Sequence, residues 1–194
     1  MTNITALCVY CGSAVGNDPA HRAAAEALGS AMARRRIRLV YGGGRVGLMG
    51  VVADAVLKGG GQVTGIIPEH LERREVGHRE ISELRVVSSM HERKRIMSEI
   101  ADGFVVLPGG LGTLDETLEI VTWRQLGLHD KPIVIADIGG YWRPLAALVD
   151  AVIAGGFARP DARKLFAVAD SIDGVFAALA AAPAPRVTVD AERL

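Results

Sequence analysis

The chain alternates between short apolar runs and longer stretches in which apolar residues recur every three or four positions. The apolar runs predict β-strands at residues 6–11, 37–41, 62–67, 84–87, 103–107, 132–138 and 166–168. The helical spacing predicts one helix that begins at about residue 18 and a second that follows the glycine turn at residues 42–47 and ends at about residue 58. Further helices are predicted at residues 90–101, 113–128, 141–154 and 171–182. Because strands and helices alternate, we predict a Rossmann-like doubly wound α/β sheet. It is mostly or wholly parallel, with about seven strands and helices on both faces.

One domain is expected. The 194 residues with 49% hydrophobic content can form one sizeable core over residues 1–182, and no repeat or linker divides them. Residues 183–194 carry two prolines and are predicted to be a flexible tail. Residues 69–80 are polar and lack a convincing period, so we predict an irregular functional loop there.

Composition excludes several classes of function. The 22 basic and 22 acidic residues balance, so no nucleic-acid or membrane surface is indicated. No signal peptide or membrane span is recognisable, and we expect a soluble, cytoplasmic protein. The five histidines lack metal-ligand spacing. Cys8 and Cys11 should point to opposite faces of their strand, so they are interpreted as structural thiols and neither a metal nor a cofactor is predicted.

The central motif is L-P-G-G-L-G-T-L-D-E at residues 107–116, between a predicted buried strand and a predicted helix. Without side chains at Gly109, Gly110 and Gly112, a ligand can approach the backbone closely. The free N–H groups of the first helical turn would then point at it. The motif therefore predicts a binding site for an anion.

Thr113 and Glu116 allow two interpretations. In the first, Thr113 is the N-cap and Glu116 completes a capping box, each satisfying a backbone N–H of the other. In the second, the Glu116 carboxylate lies beside the bound anion and takes part in chemistry. A full negative charge next to a phosphate is electrostatically unfavourable, and a site that only bound phosphate would more easily have a neutral residue there. This favours the second interpretation.

Two other glycine turns also follow predicted strands. They are Gly12 with Ser13, and residues 42–47, whose sequence is G-G-G-R-V-G. The carboxyl ends of parallel strands lie at one edge of a sheet, so all three turns could line one crevice. Residues 42–47 contain a G-x-G-x-x-G pattern, but no acidic residue ends the next strand, and NAD binding is not expected.

Residues 90–97, M-H-E-R-K-R-I-M, open a helix for which Ser88 or Ser89 could be the cap. Arg93 and Lys94 lie on the stripe that should face the core. Either this is a solvated face with extended basic side chains, or the two residues serve the crevice. In the second case Arg93 would brace a phosphate or ribose, and Lys94 would supply charge.

Two motifs, at residues 108–116 and 90–94, make the chain resemble the Lonely Guy (LOG) family of cytokinin riboside 5′-monophosphate phosphoribohydrolases. The family pattern is P-G-G-x-G-T-x-x-E with an upstream M-x-x-R-K. The resemblance covers roughly residues 6–180. It implies that residues 1–182 form a nucleotide-binding domain that cleaves the N-glycosidic bond of an N6-substituted adenosine monophosphate (AMP). The products would be the free base and ribose 5-phosphate. It also implies a homodimer.

By match to the family motif, Arg93 and Glu116 would be the catalytic pair. The predicted substrate contacts are Gly12, Ser13, Gly43, Gly44, Glu75, Met90, Lys94, Gly109, Gly110, Leu111, Gly112, Thr113, Leu114, Asp115 and Thr122. Thr122 is nine residues beyond Thr113, about 13 Å along a helix, so it cannot share the phosphate with it. It could contact the base or a neighbouring subunit's ligand.

Cleavage of a glycosidic bond builds positive charge on the ribose, which a carboxylate can stabilise while it orients water. Glu116, near a helix N-terminus, should have a lowered pKa and stay ionised. The alternative function is a carrier or sensor that binds a nucleotide or cofactor without turnover, as in related molybdenum-cofactor carriers. Family members have also carried the label of lysine decarboxylase, but no pyridoxal phosphate site is recognisable.

Overall fold

A parallel sheet forms the centre of the molecule. The computed structural model describes residues 4–75 and 77–183, without the side chains of residues 73–75. In this part of the chain the strands are β1 (Ala6–Tyr10), β2 (Arg38–Tyr41), β3 (Val63–Pro68), β4 (Glu83–Val87), β5 (Gly103–Val106), β6 (Ile133–Ala136) and β7 (Ala167–Ala169). All pair in parallel, in the order β4-β3-β2-β1-β5-β6-β7. The predicted fold class is confirmed.

Helices cover both faces of the sheet. They are α1 (Pro19–Arg34), α2 (Gly47–Lys58), α3 (Glu69–Glu75), α4 (Met90–Ile100), α5 (Leu111–Gln125), α6 (Arg143–Ala154) and α7 (Ile172–Ala181). Buried side chains of α1, α2 and α7 join one core, and those of α4, α5 and α6 join the other. The central strands therefore consist of apolar residues on both faces, as expected for a covered parallel sheet. Within residues 4–75 and 77–183, no helix is long and apolar enough to cross a membrane.

The prediction of an irregular segment at residues 69–80 is wrong for its first half, where α3 forms directly after β3. Its glutamate, leucine and arginine residues favour helix, and Glu69 and Glu72 lie in the first turn, where negative charge is favourable. Leu71 is only half-buried, so this surface helix shows no apolar period. β3 also extends one residue beyond the predicted strand at residues 62–67, because its last residue, Pro68, pairs with Val87.

Cys8 and Cys11 belong to the two different cores, so the prediction that they point to opposite faces is confirmed. Both are free and buried. Burial raises the pKa of each thiol, and the negative charge of Glu116 raises it further. The thiols are therefore neutral and have little nucleophilic character.

His129 is buried between α5 and β6 in a single tautomer. The Lys131 N–H donates to Nδ1 at 3.2 Å, so the ring proton is on Nε2, which donates to the Ile120 carbonyl at 2.9 Å. Burial lowers the pKa of His129. The hydrogen bond with the Ile120 carbonyl opposes this shift, and the positive charges of Lys131 and Arg124 add to it. The folded protein therefore holds this histidine neutral.

We expect the free energy of unfolding to fall as the pH drops below the ordinary histidine pKa of 6.5. The unfolded chain then binds a proton that the folded chain resists, so stability present above pH 6.5 is lost as the pH falls through the lower folded pKa. The free energy of unfolding, measured with urea at pH 8 and at pH 5.5, should differ less between the two pH values for His129→Asn than for the wild type. The exposed His70 gives the control His70→Asn, and equal pH dependence in all three proteins would contradict the prediction.

Candidate active site

The site lies where the strand order reverses. From β1 the chain builds the sheet outward to β4, and it then returns to the other side of β1 to add β5, β6 and β7. The loops after β1 and β5 therefore separate and leave a crevice. At its base the Gly12 N–H donates to the Pro108 carbonyl at 3.0 Å.

The helix that follows β5 has an uncapped N-terminus at this crevice. Gly110 is the N-cap of α5, and no side chain of the described residues bonds to the first turn. A Cβ added at Gly110 or Gly112 would meet nothing within 4 Å, and Leu111 between them is 85% exposed. The N–H groups of this turn have no partner inside the helix, so they are available to an anion.

Gly109 has a different function from its neighbours. A Cβ there would collide with the Thr113 hydroxyl and approach the Gly12 nitrogen to 2.8 Å. Thr113 is buried, and Leu114 is half-buried and donates its N–H to the Gly110 carbonyl at 3.1 Å, which closes the first turn. Gly109 is thus needed for packing within the protein, whereas Gly110 and Gly112 leave space for a ligand.

The capping-box interpretation is wrong, because α5 begins two residues earlier than predicted. With Gly110 as N-cap, Thr113 is already inside the first turn, and its carbonyl accepts a bond from the Thr117 hydroxyl at 2.6 Å. Glu116 lies in the second turn, beyond the reach of the N-cap N–H. α5 also ends at Gln125 instead of residue 128, since Gly127 adopts a positive φ of 75°.

Helix α4 places Arg93 under the crevice. Ser89 is the N-cap and accepts the Glu92 N–H at 3.2 Å, as the sequence allowed. Arg93 is 5% exposed, and its Nη2 donates to the Gly42 carbonyl at 3.1 Å. Its Nη1 donates to the sulfur of the half-buried Met90 at 3.7 Å. Arg93 is therefore not part of a solvated face.

The structure brings Arg93 and Glu116 together. Arg93 Nη2 lies 4.0 Å from Glu116 Oε1, with only 6% and 12% of the two side chains exposed. Burying two charges costs free energy that their attraction seldom recovers in full. Such a pair at the edge of a crevice is therefore a typical sign of function.

Lys94 links α4 to α5. Its Nζ lies 3.0 Å from Glu119 Oε1 and 3.2 Å from Asp115 Oδ2. Burial by itself would lower the pKa of Lys94, but the bonds with Glu119 and Asp115 outweigh it and raise the pKa. Asp115 is exposed, so this ion pair lies at the surface end of the contact between the two helices.

The backbone of the glycine turn after β2 and of the start of α2 is hydrogen-bonded to other segments of the chain. The Gly12 carbonyl accepts the Leu48 N–H at 3.0 Å and so occupies the N-terminus of α2. Gly43 accepts the His78 N–H at 3.0 Å, and Gly44 forms an antiparallel bridge with Gly77. This turn therefore holds the segment after α3, and a substrate contact at Gly43 or Gly44 stays a prediction.

Three further predicted contacts lie around this centre. Ser13 follows Gly12 and is exposed. Thr122 is exposed on α5, where its hydroxyl donates to the Leu118 carbonyl at 2.7 Å. Glu75 ends α3, but its side chain lies outside the described part of the structure. The structure thus groups Arg93, Glu116 and the α5 N-terminus, and it leaves Thr122 further along the helix.

The chain is similar in sequence to several known proteins. A family model described as "possible lysine decarboxylase" matches residues 49–179. A cytokinin riboside 5′-monophosphate phosphoribohydrolase of rice (Oryza sativa subsp. japonica) is 48% identical over 82% of this chain and 66% of its own length. Its counterpart in Rhodococcoides fascians is 44% identical over 88% of this chain and 87% of its own length.

The chain belongs to the Lonely Guy (LOG) family. A further relative, a phosphoribohydrolase of Arabidopsis thaliana with the same specificity in its name, is 44% identical over 85% of this chain and 78% of its own length. The region shared with the rice protein is slightly under two thirds of that protein's length.

Solved structures share the fold of this LOG chain at lower identity. The molybdenum cofactor carrier protein of Chlamydomonas reinhardtii has a TM-score of 0.66 at 20% identity, covering 90% of this chain and 95% of the carrier. The molybdenum cofactor binding protein of Rippkaea orientalis has a TM-score of 0.63 at 19% identity, covering 89% and 91%. At these identities the likeness concerns the fold alone.

Sequence reasoning missed three residues around the LOG site. Gly42 is required because a Cβ there would collide with the Arg93 guanidinium. His78 is 2% exposed, and its Nε2 lies 2.9 Å from Asp54 Oδ1. The hydroxyl of Tyr141 donates to the Gly109 carbonyl at 2.6 Å. Each contact joins distant parts of the chain, and no local pattern marks it.

Proposed function

We propose that this LOG chain hydrolyses the N-glycosidic bond of AMP or an N6-substituted AMP, releasing the free base and ribose 5-phosphate. In cells this reaction would activate a cytokinin. The observation that carries the proposal is the largely buried Glu116, 4.0 Å from Arg93, beside an uncapped helix N-terminus. The names of relatives at 44–48% identity support the same reaction.

The N-terminus of α5 holds the 5′-phosphate in this proposal. Its free N–H groups and the positive end of the helix dipole attract an anion, and the open space at Gly110 and Gly112 admits the phosphate oxygens. Holding the phosphate fixes the ribose, so binding energy distant from the reacting bond orients the anomeric carbon.

Glu116 serves as base and electrostatic stabiliser. As the bond between the anomeric carbon and the base nitrogen breaks, positive charge develops on the ribose ring, and a carboxylate nearby lowers the energy of that state. The same carboxylate accepts a proton from the water that adds to the anomeric carbon. The base leaves with the bonding electron pair and takes up a proton.

Arg93 orients the reacting groups. Its Nη2 is bonded to the Gly42 carbonyl, which fixes the guanidinium plane, and its charge faces Glu116. From this position it steadies the carboxylate and reaches the ribose phosphate or the departing base. Lys94 is proposed as a further substrate contact, held between Asp115 and Glu119.

A homodimer is part of the proposal. Exposed leucines lie on α5 and directly after its end. Leu111, Leu118 and Leu126 are 85%, 44% and 68% exposed. Leu111, Leu118 and Thr122 follow one side of the helix, at intervals of seven and four residues. A second copy packed on this stripe would remove apolar surface from water and bring Thr122 towards the neighbouring site.

Sedimentation equilibrium is expected to give a mass near twice 20.5 kDa for the wild type. Leu118→Glu should shift the protein to monomer, because a charge would be buried in the interface. The control is Val86→Glu, at a position on β4 with a similar exposure of 46% against 44% for Leu118. A wild-type monomer, or equal masses for the two variants, would contradict the proposed interface.

We also propose that residues 1–182 act as one nucleotide-binding domain and that the protein is cytoplasmic. The predicted tail at residues 183–194 lies, except for Pro183, outside the described residues. Both statements rest on the sequence.

The test of the function is a search for free base. Purified protein is incubated with AMP and with N6-isopentenyl-AMP, and the products are separated by chromatography. An enzyme of the proposed kind releases adenine or N6-isopentenyladenine together with ribose 5-phosphate. A carrier or sensor would bind the nucleotide and return it intact, and that result would reject the proposal.

A further inference from the structure

Tyr141 contacts the phosphate-binding loop from the neighbouring strand. It follows β6 after a short 3₁₀ turn, Ile138–Gly140, in which Gly139 and Gly140 adopt positive φ values of 64° and 78°. This turn brings the phenol back over the loop that follows β5, where its hydroxyl donates to the Gly109 carbonyl at 2.6 Å.

The peptide between Gly109 and Gly110 needs such a contact. Glycine on both sides of a peptide allows it to rotate at little cost, since no Cβ restricts either residue. A Cβ at Gly110 would meet nothing within 4 Å, so packing does not hold that side. Because the peptide is planar and trans, directing its carbonyl towards Tyr141 directs the Gly110 N–H the opposite way.

The phenol is itself held in place. Its ring lies edge-on to His21 at 5.1 Å and to Trp142 at 4.9 Å between centroids. The next backbone N–H, at Trp142, donates to Asp137 at 2.6 Å. These contacts restrict the Tyr141 side chain before a ligand binds. Binding therefore costs little further side-chain entropy at Tyr141.

We propose that Tyr141 is a positioning residue for the phosphate site. Its hydroxyl fixes the peptide between Gly109 and Gly110 so that the Gly110 N–H joins the amides of α5 in binding the 5′-phosphate. The inference rests on the proposed function, because it assumes that α5 holds a phosphate. It assigns Tyr141 to the binding of the phosphate and not to the cleavage step.

The experiment compares Tyr141→Phe with the wild type. Removing one neutral hydrogen bond should raise the Kd for ribose 5-phosphate and the KM for AMP about 3- to 10-fold. The kcat and the affinity for adenosine, which lacks the phosphate, should be unchanged. Tyr41→Phe is the matched control, because among the described residues the buried Tyr41 hydroxyl has no hydrogen-bond partner, and it should bind like the wild type.

Four results can be told apart. Weaker binding of phosphate-bearing ligands alone, at an unchanged melting temperature, supports the inference. Equal binding by Tyr141→Phe and wild type overturns it and leaves the proposed function intact. A lower melting temperature with equal losses for AMP and adenosine also overturns it, since the role would then be structural. A wild type that binds neither ribose 5-phosphate nor AMP overturns the phosphate site itself.

Discussion

Replacing Glu116 with glutamine is expected to reduce the release of base at least about 10³-fold. An amide of the same size cannot accept a proton from water and cannot stabilise positive charge on the ribose. Binding of AMP should stay within a few-fold of the wild type, because glutamine keeps the size of the side chain. Its neutral amide also removes a negative charge that repels the nearby phosphate. Single-turnover product analysis gives the rate, and calorimetric titration gives the affinity.

Glu99→Gln provides the comparison for this variant. Glu99 is exposed on α4 and pairs with Arg95 at 2.7 Å, away from the crevice, so turnover should match the wild type. Melting temperatures of both variants report on folding. If Glu116→Gln releases base at the wild-type rate, Glu116 is not the catalytic base and the proposed mechanism fails.

Replacing Gly112 with alanine is expected to separate stability from binding. The added methyl group would meet no protein atom within 4 Å, and alanine favours a helix over glycine by up to about 1 kcal/mol, so the variant should be at least as stable as the wild type. The methyl group would, however, occupy space beside the free amides of α5. Losing two charge-assisted hydrogen bonds to the phosphate should raise the KM for AMP about 10²-fold or more.

Gly109→Ala is the informative partner of this variant. Its Cβ would strike the Thr113 side chain, so we expect a lower melting temperature from a clash inside the protein. Gly112→Ala should show the reverse pattern, with full stability and lost binding. Should Gly112→Ala bind AMP as the wild type does, the phosphate does not occupy this end of α5.

The contrast between the two glycine turns shows how far sequence reasoning extends. Both follow parallel strands and both open helices, so they are equivalent in the sequence. In the fold, the Gly12 carbonyl accepts an N–H at the N-terminus of α2, whereas among the described residues no carbonyl outside the helix accepts an N–H of residues 111–113 in α5. Only the arrangement of β1 between β2 and β5 decides this difference, because it brings Gly12 next to one helix start.

The proposed catalytic pair, Arg93 and Glu116, illustrates the same limit. Family resemblance selected Arg93 and Glu116 from their motifs, but T-x-x-E at a helix start also allowed a capping box, and only the electrostatic argument favoured catalysis. The structure rejects the capping box because α5 begins at Leu111, which places Glu116 in the second turn. It also explains why Gly42 has no side chain, since the Arg93 guanidinium fills that space.

The sequence by itself determined the order of the strands and of every helix except α3, the parallel sheet and the position of the glycine turn that opens α5. These features depend on the periodicity of apolar residues and on glycine at strand ends, which are local properties of the chain. Tertiary structure decided where α5 begins, which amides are free, and how Arg93 and Tyr141 reach the site. The physical reason is that a backbone N–H or a charge is satisfied by whichever group folding brings within about 3 Å, and that group is often distant in sequence.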